Sequence, residues 1–271
     1  MSQRHPTCRR NLPALCLSGV LFAVFPQAEA GAAGEKQSFH AEYAVSYLGL
    51  TIARSRFDST ISRSAFEIGG SLKSAGLAEM FDDTKGTTST SGSFTAKSTR
   101  PVSFAADYVT GKKKKKIAMS FAGDAITQSV YLPEPGPRAA DWLAVQPAHL
   151  KGVTDPLSAT LVQASSPAEV CQRTLKIFDG EMRADLILAP AGTEKLSLRG
   201  YKGEAVVCTA RFSPVSGYRK GHRSIAYLKN RAKIRIAFAP MGTTGIYAPV
   251  HATVSTLIGT ITIGAVKIEP R

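Results

Sequence analysis

The sequence predicts an all-β protein: a mainly antiparallel, strongly curved sheet, a spiral or open barrel, with one or two short helices. Three observations predict it. Apolar and polar residues alternate with period two through about a dozen segments, glycine-rich turn chemistry separates them, and helical periodicity is nearly absent. A sheet of that many strands must close, split or roll to bury its apolar face, so curvature belongs to the prediction.

The elements follow in order. Phe39, Ala41, Tyr43, Val45 and Tyr47 fall on one face, and His40, Glu42, Ala44 and Ser46 on the other, which describes a half-buried strand. The same alternation marks strands over residues 51–61, 65–72, 103–109, 117–121, 126–132, 174–178, 184–188, 205–212, 232–238, 248–254 and 257–268. Gly69-Gly70, Gly123-Asp124, Asp179-Gly180, Gly192, Gly200 and Gly217 supply the turns of antiparallel hairpins. Helices are expected at 74–81 and, more strongly, at 155–162, where Asp155 provides an N-cap and Pro156 the first helical position. The stiff segment 133–138 (Pro-Glu-Pro-Gly-Pro-Arg), followed by the single tryptophan, Trp142, separates two β-rich halves. Small sheets seldom bury a core alone, so residues 31–271 are expected to form one β-rich domain.

Residues 1–30 read as a secretory signal peptide. Arg4, Arg9 and Arg10 form a basic start, 12–25 is largely apolar, and Ala28-Glu29-Ala30 places small residues before a cleavage site. The apolar run is broken by Pro13, falls short of the roughly 20 residues that span a bilayer, and has no later counterpart. Cys16 lies too early in that run for a lipid anchor. The mature chain is expected in the periplasm, without a transmembrane segment.

The chain carries a formal charge of +14. Removing 1–30 takes away three basic residues and one acidic residue and leaves +12, so the signal does not account for the basicity. In the envelope, positive charge favours an anionic lipid, an acidic polymer or an envelope protein as partner, and export argues against nucleic acid. Two basic stretches stand out. Lys112, Lys113, Lys114, Lys115 and Lys116 follow Gly111 and read as a hairpin tip, either a solvated turn or a surface for anionic headgroups. Arg219, Lys220 and Arg223 open a second stretch that runs to Arg235 and reads mostly as the outer face of a strand.

Only Cys171 and Cys208 remain in the mature chain. In an oxidising compartment a structural disulfide is the default reading, against a redox pair or two metal thiolates. No Cys-x-x-Cys spacing or adjacent His supports either alternative. The chain has no Gly-x-Ser-x-Gly, no Ser-x-x-Lys and no His-Glu-x-x-His; His40, His149, His222 and His251 are scattered. Asp82-Asp83, and Asp179 with Glu181 and Asp185, are carboxylate groupings, of which Asp179-Gly180 reads first as a turn. No catalytic residue, metal site or cofactor is expected. Tyr43, Tyr47, Phe57, Phe66, Tyr108 and Phe121 read as core, with a lipid pocket inside the curved sheet as the alternative.

Residues 170–180 (Val-Cys-Gln-Arg-Thr-Leu-Lys-Ile-Phe-Asp-Gly) and 183–186, then 201–208 (Tyr-Lys-Gly-Glu-Ala-Val-Val-Cys) and 214–219, resemble an exported bacterial family catalogued as domain of unknown function 3108. Gly49-Leu50 with Ala53-Arg54, Gly76-Leu77 with Phe81-Asp82-Asp83, and 155–158 extend the likeness over nearly all of the mature chain. The resemblance implies a disulfide joining Cys171 to Cys208 and an exported β-rich protein. It carries no catalytic residues. The functional expectation is a non-enzymatic periplasmic protein that supports cell-envelope integrity by binding an envelope component or protein partner. A lipid or lipoprotein carrier with an apolar cavity and an uncharacterised hydrolase are its competitors.

Overall fold

The computed structural model describes residues 35–76, 78, 79, 83–95 and 98–271. The signal sequence expected over 1–30 lies outside them, as does part of the helix expected at 74–81. Seven strands run first: β1 (Gln37–Tyr47), β2 (Leu50–Ile61), β3 (Ala65–Ser74), β4 (Thr84–Thr95), β5 (Ser98–Thr110), β6 (Lys113–Ala122) and β7 (Ala125–Leu132). After the proline-rich segment come β8 (Trp142–Leu143), β9 (Val162–Gln163), β10 (Thr174–Phe178), β11 (Arg183–Leu198), β12 (Tyr201–Ser216) and β13 (Tyr218–Arg219). Helix α1 (Arg223–Asn230) leads into β14 (Ile234–Pro240), β15 (Ile246–Thr256) and β16 (Gly259–Pro270).

One 14-stranded sheet holds nearly all of this, in the order β10-β11-β12-β14-β15-β16-β1-β2-β3-β4-β5-β6-β7, with β9 beside β15; β8 and β13 form a separate ribbon. Its ladders are antiparallel, and β1 pairs with β16, so the N-terminal meander is zipped to the C-terminal half through the last strand. The mainly antiparallel, curved, barrel-like sheet predicted from alternation is the observed fold.

Curvature brings the sheet's inner face onto itself. Phe39, Ala41, Ile61, Phe66 and Ile68 of β1–β3 share a core with Ala205 and Val207 of β12 and Val250 of β15. A second core gathers Phe104 of β5 and Ile117, Met119 and Phe121 of β6 around Phe178, which ends the opposite edge strand, β10. The edge strands β7 and β10 do not pair. Instead, segment 153–161 fills the gap. Val153 joins the second core, Thr154 forms a parallel bridge with Ile177, and Thr154 Oγ1 lies 2.9 Å from Thr99 Oγ1 of β5. The result is an open barrel plugged by its own connection.

Several sequence expectations differ from the structure, among them the Gly69-Gly70 turn, which lies inside β3. The helix expected at 155–162 is a single 3-10 turn, Ser158–Thr160, followed by extended chain at Leu161. Leu161 belongs to one core and Val162 to another, as successive residues of an extended chain face opposite ways. Conversely, Arg223–Asn230, expected on a strand face, is α-helical; Ile225 and Leu228, three apart and half-buried, were its only helical signal. Strand β4, with the sequence TKGTTSTSGSFT, was not predicted because its Gly, Ser and Thr content resembles turn composition. Its inner positions must be small: a Cβ on Gly86 would lie 2.6 Å from Tyr108 Cβ, and one on Gly92 would lie 2.7 Å from Phe66 Cζ.

Candidate functional site

The inner face of the curled sheet encloses a cavity of about 430 Å³. Its wall includes Val45, Phe57, Leu72, Leu175, Ile236 and Ile263, contributed by six strands and completed by Leu157 and Leu161 of the plug. Ser55, Ser59, Thr160 and His251 are its few polar side chains besides Tyr43. The Tyr43 hydroxyl is already used, donating to the Pro249 carbonyl at 2.9 Å, and burial pushes its phenol up to about 12. Leu72 and Ile263 line the cavity and are each 38 % exposed, so it reaches solvent. Leu72 is paired with Ser55 near the end of β3, and Ile263 with Val45 near the end of β1. The opening therefore lies toward the end of the sheet that carries the β1–β2 and β15–β16 turns.

Two devices hold the wall. The plug is fixed by Asp155, fully buried, whose Oδ1 accepts the backbone N–H of Leu157 at 2.9 Å and of Ser158 at 2.8 Å. Thr90 Oγ1 on β4 lies 3.1 Å from Asp155 Oδ2 and 2.8 Å from Ser158 Oγ. Desolvation pushes the Asp155 carboxyl above the usual carboxylate range, against the hydrogen bonds from Ser158, Thr90 and Leu157. Behind the cavity, Cys171 and Cys208 form the disulfide that the family resemblance implied, buried in a cluster with Val162, Val170, Leu188 and Phe238. It ties the segment before β10 to β12, two strands away in the sheet.

The lysine run is not a hairpin tip. Gly111 and Lys112 make the turn, while Lys113, Lys114, Lys115 and Lys116 are the first four residues of β6. Period-two alternation then splits them. Lys115 is on the row of Ile117, Met119 and Phe121, and its ammonium lies 4.9 Å from the Tyr131 ring centroid and 5.8 Å from that of Tyr108. Contact with the Tyr131 hydroxyl, against partial desolvation, raises its pKa. Lys114 and Lys116 point the other way, where Lys116 is paired with Asp107 of β5.

On that opposite face the register aligns Lys114 and Lys116 with four cations that sequence reading passed over, Arg54 and Arg56 of β2, Lys73 of β3 and Lys85 of β4. All six are exposed, and among the described residues none is in an ion pair within 4.0 Å. Together with Glu42, Asp107 and the apolar Val109, Leu132, Pro133 and Val266, they line a groove of about 890 Å³. The available signal was one or two cations at outward positions of each strand, which look like ordinary solvation until register places them side by side.

Arg219, Lys220 and Arg223 do not join this groove. Arg219 is in the β8–β13 ribbon and donates to Asp141 Oδ1 at 3.0 Å; its guanidinium, with the Gly221 N–H, holds the Asp141 carboxyl below its usual range. Arg219 and Arg223 line a separate groove of about 610 Å³ with Gly221, His222, Leu257 and Ile258, sharing no residue with the first. Elsewhere, both ring nitrogens of His40 face carboxylates, Nδ1 toward Asp58 at 2.7 Å and Nε2 toward Glu42 at 3.2 Å, which leaves neither for a serine nucleophile. Among the described residues no three His, Cys, Asp or Glu side chains converge as metal ligands, and no helix is long and apolar enough to cross a membrane.

The fold is an open, strongly curved antiparallel sheet, plugged by its own connection and lined inside by an apolar cavity. The profile of a family described as "Protein of unknown function (DUF3108)" matches residues 42–266, and the chain belongs to that family. Among solved structures it is similar to one titled a beta-barrel-like protein of domain of unknown function DUF1849 from Brucella abortus. That likeness has 9 % identity and a TM-score of 0.48, covering 87 % of this chain and 98 % of the other. No curated protein matches.

Proposed function

We propose that this is a non-enzymatic protein of the periplasm that supports the cell envelope by binding an acyl-chain lipid in the interior of its curved sheet. One observation carries this reading: a cavity of about 430 Å³ whose wall is almost wholly apolar and which reaches solvent at Leu72 and Ile263. Its size falls within the roughly 300–1,000 Å³ of small-molecule pockets. An apolar chain would displace little ordered water there, and the one buried phenol is already satisfied by Pro249. The export signal expected in residues 1–30 supports the periplasmic part of the proposal.

The test has two arms. Protein purified from the periplasm is extracted and bound lipid identified by mass spectrometry, and the delipidated protein is titrated with a fluorescent fatty acid. A stoichiometric lipid and saturable probe binding are expected. Ala252→Phe, which fills the cavity from β15, should weaken the probe at least tenfold with an unchanged circular dichroism spectrum. An empty protein that also fails to bind the probe overturns the reading.

A second reading is favoured by the groove of Arg54, Arg56, Lys73, Lys85, Lys114 and Lys116: recognition of an acidic envelope polymer on the outer surface. Six exposed cations facing two carboxylates is the electrostatic pattern that attracts a polyanion.

A further inference from the structure

The ends of the strands, rather than their faces, carry a feature that neither the cavity nor the groove of Arg54 and Lys116 uses. Turns between β1 and β2 and between β15 and β16 emerge from the same end of the sheet, because Tyr47 at the end of β1 pairs with Ile261 at the start of β16. The Tyr47 hydroxyl donates to the Ile258 carbonyl, joining one turn to the other. Both turns display large apolar residues to solvent: Leu48 is 72 % exposed, Leu50 60 %, Leu257 46 % and Ile258 74 %.

Their backbone makes the choice of residue informative. Leu48 has φ 51°, the left-handed region that glycine, asparagine and aspartate occupy at least cost in turns, and it is followed by Gly49 at φ 79°. A solvated turn would be served better by a polar residue in both conformation and hydration. Beside these turns, Leu257 and Ile258 share a groove with Arg219, His222 and Arg223, and α1 leads directly to the start of β14, which pairs with the end of β15. Exposed leucine and isoleucine on constrained turns, framed by arginine, match the interface of an anionic bilayer, where apolar tips enter the headgroup region and cations meet phosphate. The cavity lining exposed at Leu72 and Ile263 lies toward this same end of the barrel.

We infer that the β1–β2 and β15–β16 turns form a membrane-docking rim, which seats the mouth of the barrel on the surface of an anionic phospholipid bilayer through Leu48, Leu50, Leu257 and Ile258. This does not depend on what the cavity holds.

The experiment measures partition of the purified protein onto vesicles of phosphatidylglycerol and phosphatidylethanolamine, and onto phosphatidylcholine vesicles, by co-sedimentation. The wild type should bind the anionic vesicles more strongly, and binding should fall as salt rises. The double variant Leu48→Asn with Ile258→Asn should lose at least tenfold in partition while its circular dichroism and thermal midpoint stay unchanged, since asparagine suits the Leu48 backbone. Lys220→Gln with Arg223→Gln should flatten the salt dependence. The inference is overturned if the wild type does not bind anionic vesicles, or if the double variant binds them as well as wild type. It is also overturned if that variant merely converts a dimer to a monomer with vesicle binding unchanged, which would make the rim a contact between copies. Failure of the fatty-acid titration with vesicle binding intact would remove the cavity reading and leave the rim.

Discussion

Thr90 and Asp155, 65 positions apart in the chain, meet inside the barrel with Thr90 Oγ1 3.1 Å from Asp155 Oδ2. The contact anchors the plug to the middle of a strand that has almost no apolar side chains of its own. Asp155→Ala would leave the backbone N–H groups of Leu157 and Ser158 without their acceptor, at a cost of about 2–4 kcal/mol for two buried donors. Urea unfolding should register this as a lower midpoint with an unchanged slope. Asp155→Asn keeps an oxygen for both donors and should lose far less.

The same carboxyl predicts a pH dependence. Burial raises its pKa in the fold, so the folded state favours the protonated form. Its stabilising contribution is complete below the unfolded-state value of about 3.9 and is lost as pH rises through the folded value. Between pH 4 and pH 7 the wild type should therefore lose stability relative to Asp155→Asn. A constant difference between the two across that range would contradict the burial argument.

Removing the disulfide should weaken the fold about as much as a large core truncation beside it. Cys171 and Cys208 close a loop of 37 residues, for which chain entropy predicts a loss of about 4 kcal/mol in the Cys171→Ala, Cys208→Ala double variant. Peptide mapping without reductant should recover one fragment containing both cysteines.

Alternation along β6 predicts unequal lysines. Lys115→Ala loses the contacts with Tyr108 and Tyr131 and should cost about 0.5–1 kcal/mol. Lys114→Ala and Lys116→Ala should stay within about 0.5 kcal/mol of wild type, as exposed positions do. Equal effects at all three in thermal unfolding would contradict the unequal environments that alternation gives them.

The outer groove predicts an electrostatic phenotype. Charge reversal at Arg56, Lys85 and Lys116 should reduce retention of the protein on an immobilised acidic polysaccharide, with elution shifting to lower salt, and leave fatty-acid binding alone. Reversal of Arg219 and Lys220, outside that groove, should shift elution less.

What the sequence determined by itself is most of the long strands and the face their residues take, because period two is a local property of the chain. Strand β10 has the bounds that alternation assigned, and the inner row of β1 is the row read from Phe39 to Val45. The disulfide was legible through resemblance. Local pattern fails where long-range packing chooses the conformation. Asp155 and Pro156 look like a helix start, yet the chain is extended at Leu161 and serves two cores; β4 looks like a turn, yet its glycines must admit Tyr108 and Phe66. Tertiary structure alone decided the candidate sites. Arg54, Lys73, Lys85 and Lys116 become one surface, Val45, Ile236 and Leu175 one cavity, and Leu48 and Ile258 one rim, only once strand register fixes who stands beside whom. That register depends on pairings between residues distant in the chain, such as Tyr47 with Ile261 and Phe39 with Pro270, about which a local period says nothing.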